Sequence, residues 1–202
     1  MPDMTHSMID MPVPDELSLS QRSGLPDALR SLIEAYPRAG WVQNPNYSQL
    51  IAFWLDRHLM FRRLLDQLDS DAKSALDGHE APEQYKRKLH RFGGMLINQL
   101  HGHHQIEDAQ YFPVMAKLEK SAERGFDILD ADHHSLDGIL SNLANSANTV
   151  LQHDGAAGGF IDATAALKGQ LDAFRPMLNR HLTDEEELVV PVLLKYDPPQ
   201  FR

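Results

Sequence analysis

The chain has 202 residues, 42% hydrophobic and 24% charged, which suits one domain, or one domain with an appendage, that buries a sizeable core. A formal net charge of −10 with no basic cluster argues against nucleic acid or anionic membrane as a partner. Cysteine is absent, which excludes disulfides, iron–sulfur clusters, thiolate zinc sites and cysteine nucleophiles, and leaves any metal to nitrogen and oxygen ligands. Eleven histidines are the compositional anomaly.

The opening MPDMTHSMIDMPVPDELSLSQRSG lacks a basic region followed by an apolar run, so it does not read as a secretory signal. No apolar stretch has the length of a membrane span, and a cytoplasmic location is expected. Residues 1 to about 23 lack periodicity and read as a mobile arm. Pro26 then opens a short amphipathic helix, PDALRSLIEAY, which stops at Pro37, and GWVQNPNYS is a loop. The arm and short helix occupy 1–45, ahead of a bundle over 46–202.

Four longer helical patterns follow. Ile51, Trp54, His58, Phe61, Leu65 and Leu68 alternate steps of three and four, one face of the first. The second runs from about Pro82 to Lys120, with Leu96, Leu100, His103, Glu107 and Val114 on one stripe. The third spans Glu123 to Gln152 with the stripe Leu129, His133, Leu136, Leu140 and Leu143. The fourth runs from about Phe160 to Leu194 and carries Leu171, Phe174, Leu178, His181, Glu185, Leu188 and Val192. Pro176 inside that pattern predicts a kink one turn before His181. The fold class expected is all-α: an antiparallel up-down four-helix bundle with an N-terminal arm and a short extra helix.

The second and fourth patterns contain the same phrase. His103, Glu107-Asp108 and Pro113 in one match His181, Glu185-Glu186 and Pro191 in the other, with the acid four residues and the proline ten residues after the histidine. The i, i+4 spacing places His and Glu on one helical face, and that face is the apolar stripe. Burying imidazoles and carboxylates there would cost several kcal/mol (about 2–7 for one unpaired polar group) unless they were paired or bound to metal. With His58 and His133 on the first and third stripes, four helices each send a nitrogen donor inward and two add a carboxylate. Two carboxylates among imidazoles suit a dinuclear centre in which each Glu bridges two ions roughly 3.5–4 Å apart. A nitrogen and oxygen donor set suits iron, manganese or zinc, and the bridging pattern favours two non-haem irons.

His6, His79, His90 and His153 lie off the stripes and read as ordinary core or surface residues, His101 as a helix-surface residue. Asp108, Glu186 and Glu187 read as solvated groups or as partners of ligands, with Glu186 an additional candidate ligand. His104 lies about 100° round the helix from His103. It either reaches a second ion from the flank of the stripe or bonds at the surface. On the third helix the stripe selects His133 over its neighbour His134, which stays an additional candidate.

At these residues the sequence resembles the hemerythrin-like, or HHE cation-binding, family. The resemblance rests on WLDRH ending at His58, HHQIEDAQYFP from His103, DADHHSL around His133 and HLTDEEELVVP from His181, and covers roughly residues 46–195. It implies an up-down four-helix bundle holding a non-haem di-iron centre, with His58, His103, His133 and His181 as terminal ligands and Glu107 and Glu185 as bridges. The oxygen carriers of the family have five histidines, two of them four apart on the third helix. Here the residues four either side of His133 are Leu129 and Asp137. The carriers also place an aspartate five residues after the last histidine, where this chain has Glu186 and uses Glu185 at four.

A site with four histidines would leave positions for His104, water or an exogenous ligand, and so speaks against a stable oxygen carrier. Sensing of oxygen, nitric oxide or peroxide, iron handling and repair stay open, with a small diatomic or peroxide ligand as the partner. Two further readings compete. One is a structural or interaction bundle with a zinc or vestigial metal site. The other is a di-iron oxidase, disfavoured because the ferritin-like motif is Glu-x-x-His whereas here His precedes Glu by four.

Overall fold

The computed structural model describes residues 13–153 and 157–201. Its described residues are helical or in turns and loops, with no strand among them. After turns over Asp15–Leu17, the first α-helix is short: α1, Leu32–Ala35. The remaining helices are α2 (Gln49–Leu76), α3 (Pro82–Ile106), α4 (Phe112–Leu118), α5 (Glu123–Gln152) and α6 (Ala157–Tyr196).

Local chemistry sets the ends of these helices. The Ser48 hydroxyl accepts from the Ile51 N–H at 3.3 Å and caps α2. At its far end Gly78 adopts φ +72°, a left-handed conformation that lets the chain leave the helix, while His79 N–H donates to the Ser74 carbonyl. Pro82 begins α3, where its missing N–H costs nothing. Despite Pro176, the site of the expected kink, α6 runs unbroken from Ala157 to Tyr196, and it also passes Pro191.

The expected single helix from Pro82 to Lys120 is broken. A π-helical turn, Glu107–Tyr111, joins α3 to α4, and Phe112 N–H donates to the Glu107 carbonyl five residues back. Pro113, just beyond, has no N–H to continue the α-helical ladder. The wider turn rotates everything after it, so Phe112 and Met115 are buried and Val114 is not.

The short helix expected over PDALRSLIEAY shrinks to its last turn. Residues 13–23 also depart from a mobile arm: Leu19 and Arg22 are buried, and Leu25 and Trp41 beyond them join the core. Residues 1–12 of the expected arm, with His6, lie outside the described residues.

Each of α2, α3, α5 and α6 packs on two of the others, in the closed order α2–α3–α5–α6. Their apolar stripes form two cores. One gathers Phe61, Leu65, Leu100, Leu136 and Leu178. The other gathers Ile51, Trp54, Phe112, Phe126, Leu129 and Leu188. Between them lies a layer of buried histidines and carboxylates. Along α2 and α5 the Trp54 and Leu129 core precedes this layer, whereas along α3 and α6 the Leu100 and Leu178 core does.

Candidate metal centre

Every long helix delivers donors to that layer. His58 from α2, His104 from α3, His133 from α5 and His181 with Glu185 from α6 are buried, as is Glu107 at the start of the π turn. His103 is only slightly more open, its side chain 10% exposed. These donors fall into two groups, His104 with His133 and His181, and His58 with His103, Glu107 and Glu185; within each group the ligand atoms lie within 4.8 Å of one another.

The two carboxylates connect the groups. Glu107 sets Oε1 at 2.8 Å from His103 Nε2 and Oε2 at 3.6 Å from His133 Nε2. Glu185 sets Oε1 at 3.3 Å from His58 Nε2 and Oε2 at 3.5 Å from His181 Nε2. Each Glu therefore turns one oxygen to each group, the arrangement a bridging carboxylate requires.

Adjacent residues of α3 serve different groups because α3 lies between α2 and α5. His103 faces α2, with its Nε2 at 3.1 Å from His58 Nε2 and its ring against Phe61. His104, about 100° further round, faces α5 and stacks on His133 with ring centroids 4.0 Å apart. The structure thus brings five histidines together, one more than the sequence stripes selected, and the extra one is His104. Its signal was the HH pair itself, read for one face when the helix presents two.

Outer partners fix three of the rings. His58 Nδ1 lies 3.0 Å from Glu186, His133 Nδ1 2.7 Å from Asp108, and His181 Nδ1 3.2 Å from Asp132. A carboxylate only accepts, so each Nδ1 carries a proton and each Nε2 is turned into the layer. Arginines hold two of these carboxylates in turn. Arg22 donates to Asp132 through both terminal nitrogens and to Asp184 through Nε at 2.8 Å. Arg62 and Arg38 reach Glu186 at 2.8 and 2.7 Å. Trp54 Nε1 donates to Glu185 Oε1 at 2.5 Å.

Electrostatics keep the buried set close to neutral. Burial lowers His103 to about 3 and pushes His104 and His181 below the usual imidazole range, so these rings are neutral and keep a free lone pair. Burial also raises the Glu107 carboxyl well above its usual range, helped by the neighbouring Glu185. Burial works against a cation at His58, but Glu185 and Glu186 overcome it and raise that ring to about 9.

The donor set fits a metal on a further count. His104 Nδ1 and Nε2, Glu107 Oε1 and Oε2, His133 Nε2, His181 Nε2 and Glu185 Oε2 are all buried without a hydrogen-bond partner. Buried polar atoms are rarely left so, because each loses its hydration for nothing. Here they converge on one layer, nitrogens and carboxylate oxygens together, which is what a cation of the iron, manganese or zinc type would satisfy.

Two additional candidates stand elsewhere. The His134 side chain is 78% exposed, with Nδ1 against the Asp130 carbonyl at 2.9 Å, because it lies one position round α5 from His133 and outside the bundle. Glu186 faces His58 Nδ1 and two arginines rather than the donor layer. Asp132, Arg22 and the indole of Trp54 were missed as site residues. Asp132 and Arg22 act across helices and carry no local spacing signal, and Trp54 on its stripe reads as core.

Comparisons with curated proteins and with solved structures gave no match. The family described as the hemerythrin HHE cation binding domain matches residues 49–193, a span containing all five inward histidines and both connecting glutamates. With that match over most of its length, the chain belongs to the hemerythrin HHE cation-binding domain family.

Proposed function

We propose that the chain is a non-haem di-iron protein that reacts with or senses oxygen, nitric oxide or peroxide. The observation that carries this reading is the pair of glutamates, each turning one oxygen to each histidine group. His104, His133 and His181 would hold one ion, His58 and His103 the other, with Glu107 and Glu185 shared. Iron ranks ahead of manganese and zinc because the set is rich in imidazole and doubly bridged. A bound iron pair would supply redox chemistry and a coordination position for a small ligand.

The chain's own residues do the rest. Asp108, Asp132 and Glu186 orient their imidazoles, and Trp54 orients Glu185. The two apolar cores exclude bulk water from the layer. The topology that goes with this reading is an antiparallel up-down four-helix bundle, supported by the reversed order of the two cores along successive long helices. We also propose a cytoplasmic protein that binds neither nucleic acid nor membrane. The net charge of −10 supports this, and no helix among the described residues is long and apolar enough to cross a membrane.

Anaerobic reconstitution with ferrous iron tests the reading. Metal analysis should give close to two irons per chain, and absorption spectra should change on adding oxygen, nitric oxide or peroxide. A chain that takes up zinc but no iron, or whose iron spectrum ignores all three reagents, would overturn it.

A further inference from the structure

A cavity of about 270 Å³ opens between α2 and α3. Phe53, Trp54, Ile106 and Tyr111 give it apolar walls, and His103 forms part of its lining. A water's share of liquid volume is about 30 Å³, so this space is several times larger than a diatomic molecule or peroxide needs. Drug-sized ligands occupy pockets from about 300 Å³ upward, so the size suits a small organic molecule.

Its polar lining includes Arg57 of α2 and Asn98 and Gln99 of α3. Arg57 donates to Gln99 Oε1 at 2.6 Å across the two helices, and its guanidinium lies 5.6 and 5.9 Å from the Phe53 and Phe61 ring centres. Among the described residues no carboxylate lies within ion-pair distance of Arg57, although acids outnumber bases in the chain, 29 to 19. An arginine left with only a neutral amide, held over aromatic rings at an apolar pocket, is a receptor for an anionic group with an apolar body. Gly102 adds to this: a Cβ there would meet nothing within 4 Å, so the missing side chain leaves the pocket open. Phe53 and Ile106, 60% and 48% exposed, are two large apolar side chains left to solvent beside it.

We propose that this cavity binds a small amphipathic carboxylate, its apolar body between Phe53, Trp54 and Ile106 and its carboxylate on Arg57. The site shares His103 and Trp54 with the edge of the metal centre, whereas Arg57 and Gly102 lie outside the donor layer.

Calorimetric titration of the full chain with octanoate tests the proposal, with octanol as the uncharged probe and iron uptake measured separately on every variant. Octanoate should bind saturably at one site per chain. Arg57→Met should weaken octanoate about tenfold or more, as loss of one charge-assisted contact worth about 1.4 kcal/mol would, and leave octanol unchanged, while Arg57→Lys should restore part of the octanoate affinity. Gly102→Met, which fills the pocket and improves helix propensity, should abolish binding of both probes. Iron uptake should be the same in all variants, so failure of the metal reading would show there and not in the titrations. No saturable octanoate binding, equal octanoate affinity after Arg57→Met, or undiminished binding after Gly102→Met would each overturn the proposal.

Discussion

His104 is the residue on which the count of nitrogen donors turns. Both its ring nitrogens are buried without a hydrogen-bond partner, and its ring stacks on His133. A structural histidine would have bonded at least one nitrogen, since leaving such a group dry costs about 1–3 kcal/mol. The His104→Ala variant should therefore lose the ion proposed to sit with His133 and His181, dropping iron content from about two to about one per chain on that proposal, and should not lose thermal stability when metal-free. The neighbouring pair on α5 supplies the control: His134→Ala, at a surface position, should leave iron content unchanged. Equal iron content in the two variants would remove His104 from the centre. At this scale the sequence showed a good deal. Periodicity placed His58, His103, Glu107, His133, His181 and Glu185 facing inward, and the structure gathers those six side chains. It could not choose between the faces of α3, because a helix with neighbours on two sides has two buried faces and a single stripe describes one.

Among the elements, α5 was legible to its ends, Glu123 and Gln152, because glycine punctuation and a clean leucine stripe coincide there. The passage from α3 to α4 was not. A π turn is one extra residue in the ladder, invisible to a 3.6-residue pattern, and the matching proline of the repeat, Pro191, sits within unbroken α-helix. The turn's effect is local: it begins at Glu107 and passes the buried face to Phe112 and Met115. The end of α4 is then tied down by Glu119, which accepts from the Ser121 hydroxyl at 2.6 Å and from Lys195 of α6 at 2.5 Å. These donors, Lys195 foremost, hold the Glu119 carboxyl down at about 2. A carboxyl lowered in the folded state stabilises it fully above its unfolded pKa, about 4.3. That contribution declines as pH falls from there through about 2. Denaturant midpoints of the metal-free chain should accordingly fall between about pH 4.3 and about pH 2, the window those pKa values bracket, more steeply than those of Glu119→Gln. Parallel pH curves for the two proteins would show that Glu119 anchors nothing.

Across the whole molecule, the segment before α2 belongs to the architecture of the centre although it precedes the matched span of residues 49–193. Arg22 reaches in from it to Asp132 on α5 and Asp184 on α6, with the side chains 1%, 4% and 0% exposed. Asp132 in turn orients His181, and the Leu25 N–H donates to Asp184 at 3.1 Å. None of this was legible in the sequence, where residues 13–23 show no periodicity and an arginine among serines looks solvated. Contacts made across more than a hundred residues leave no spacing to read. The bundle itself was legible because its helices each repeat one amphipathic rule; the strap obeys none. Removing Arg22 leaves Asp132 with only the His181 ring and Asp184 with only Arg180 and the Leu25 N–H, and breaking a buried ion pair from one side costs about 3–5 kcal/mol. Arg22→Met should destabilise the metal-free chain on that scale in urea unfolding. It should also weaken iron binding by about 10–100-fold, the usual effect of losing support behind a ligating imidazole. Arg22→Lys should recover more of the stability than of the metal affinity, since a single ammonium can offset the buried charge but lacks the fork that sets Asp132 and Asp184 together. If iron affinity survives Arg22→Met while stability falls, the strap only holds the helices together; if both survive, the buried pair contributes nothing to the fold or to the centre.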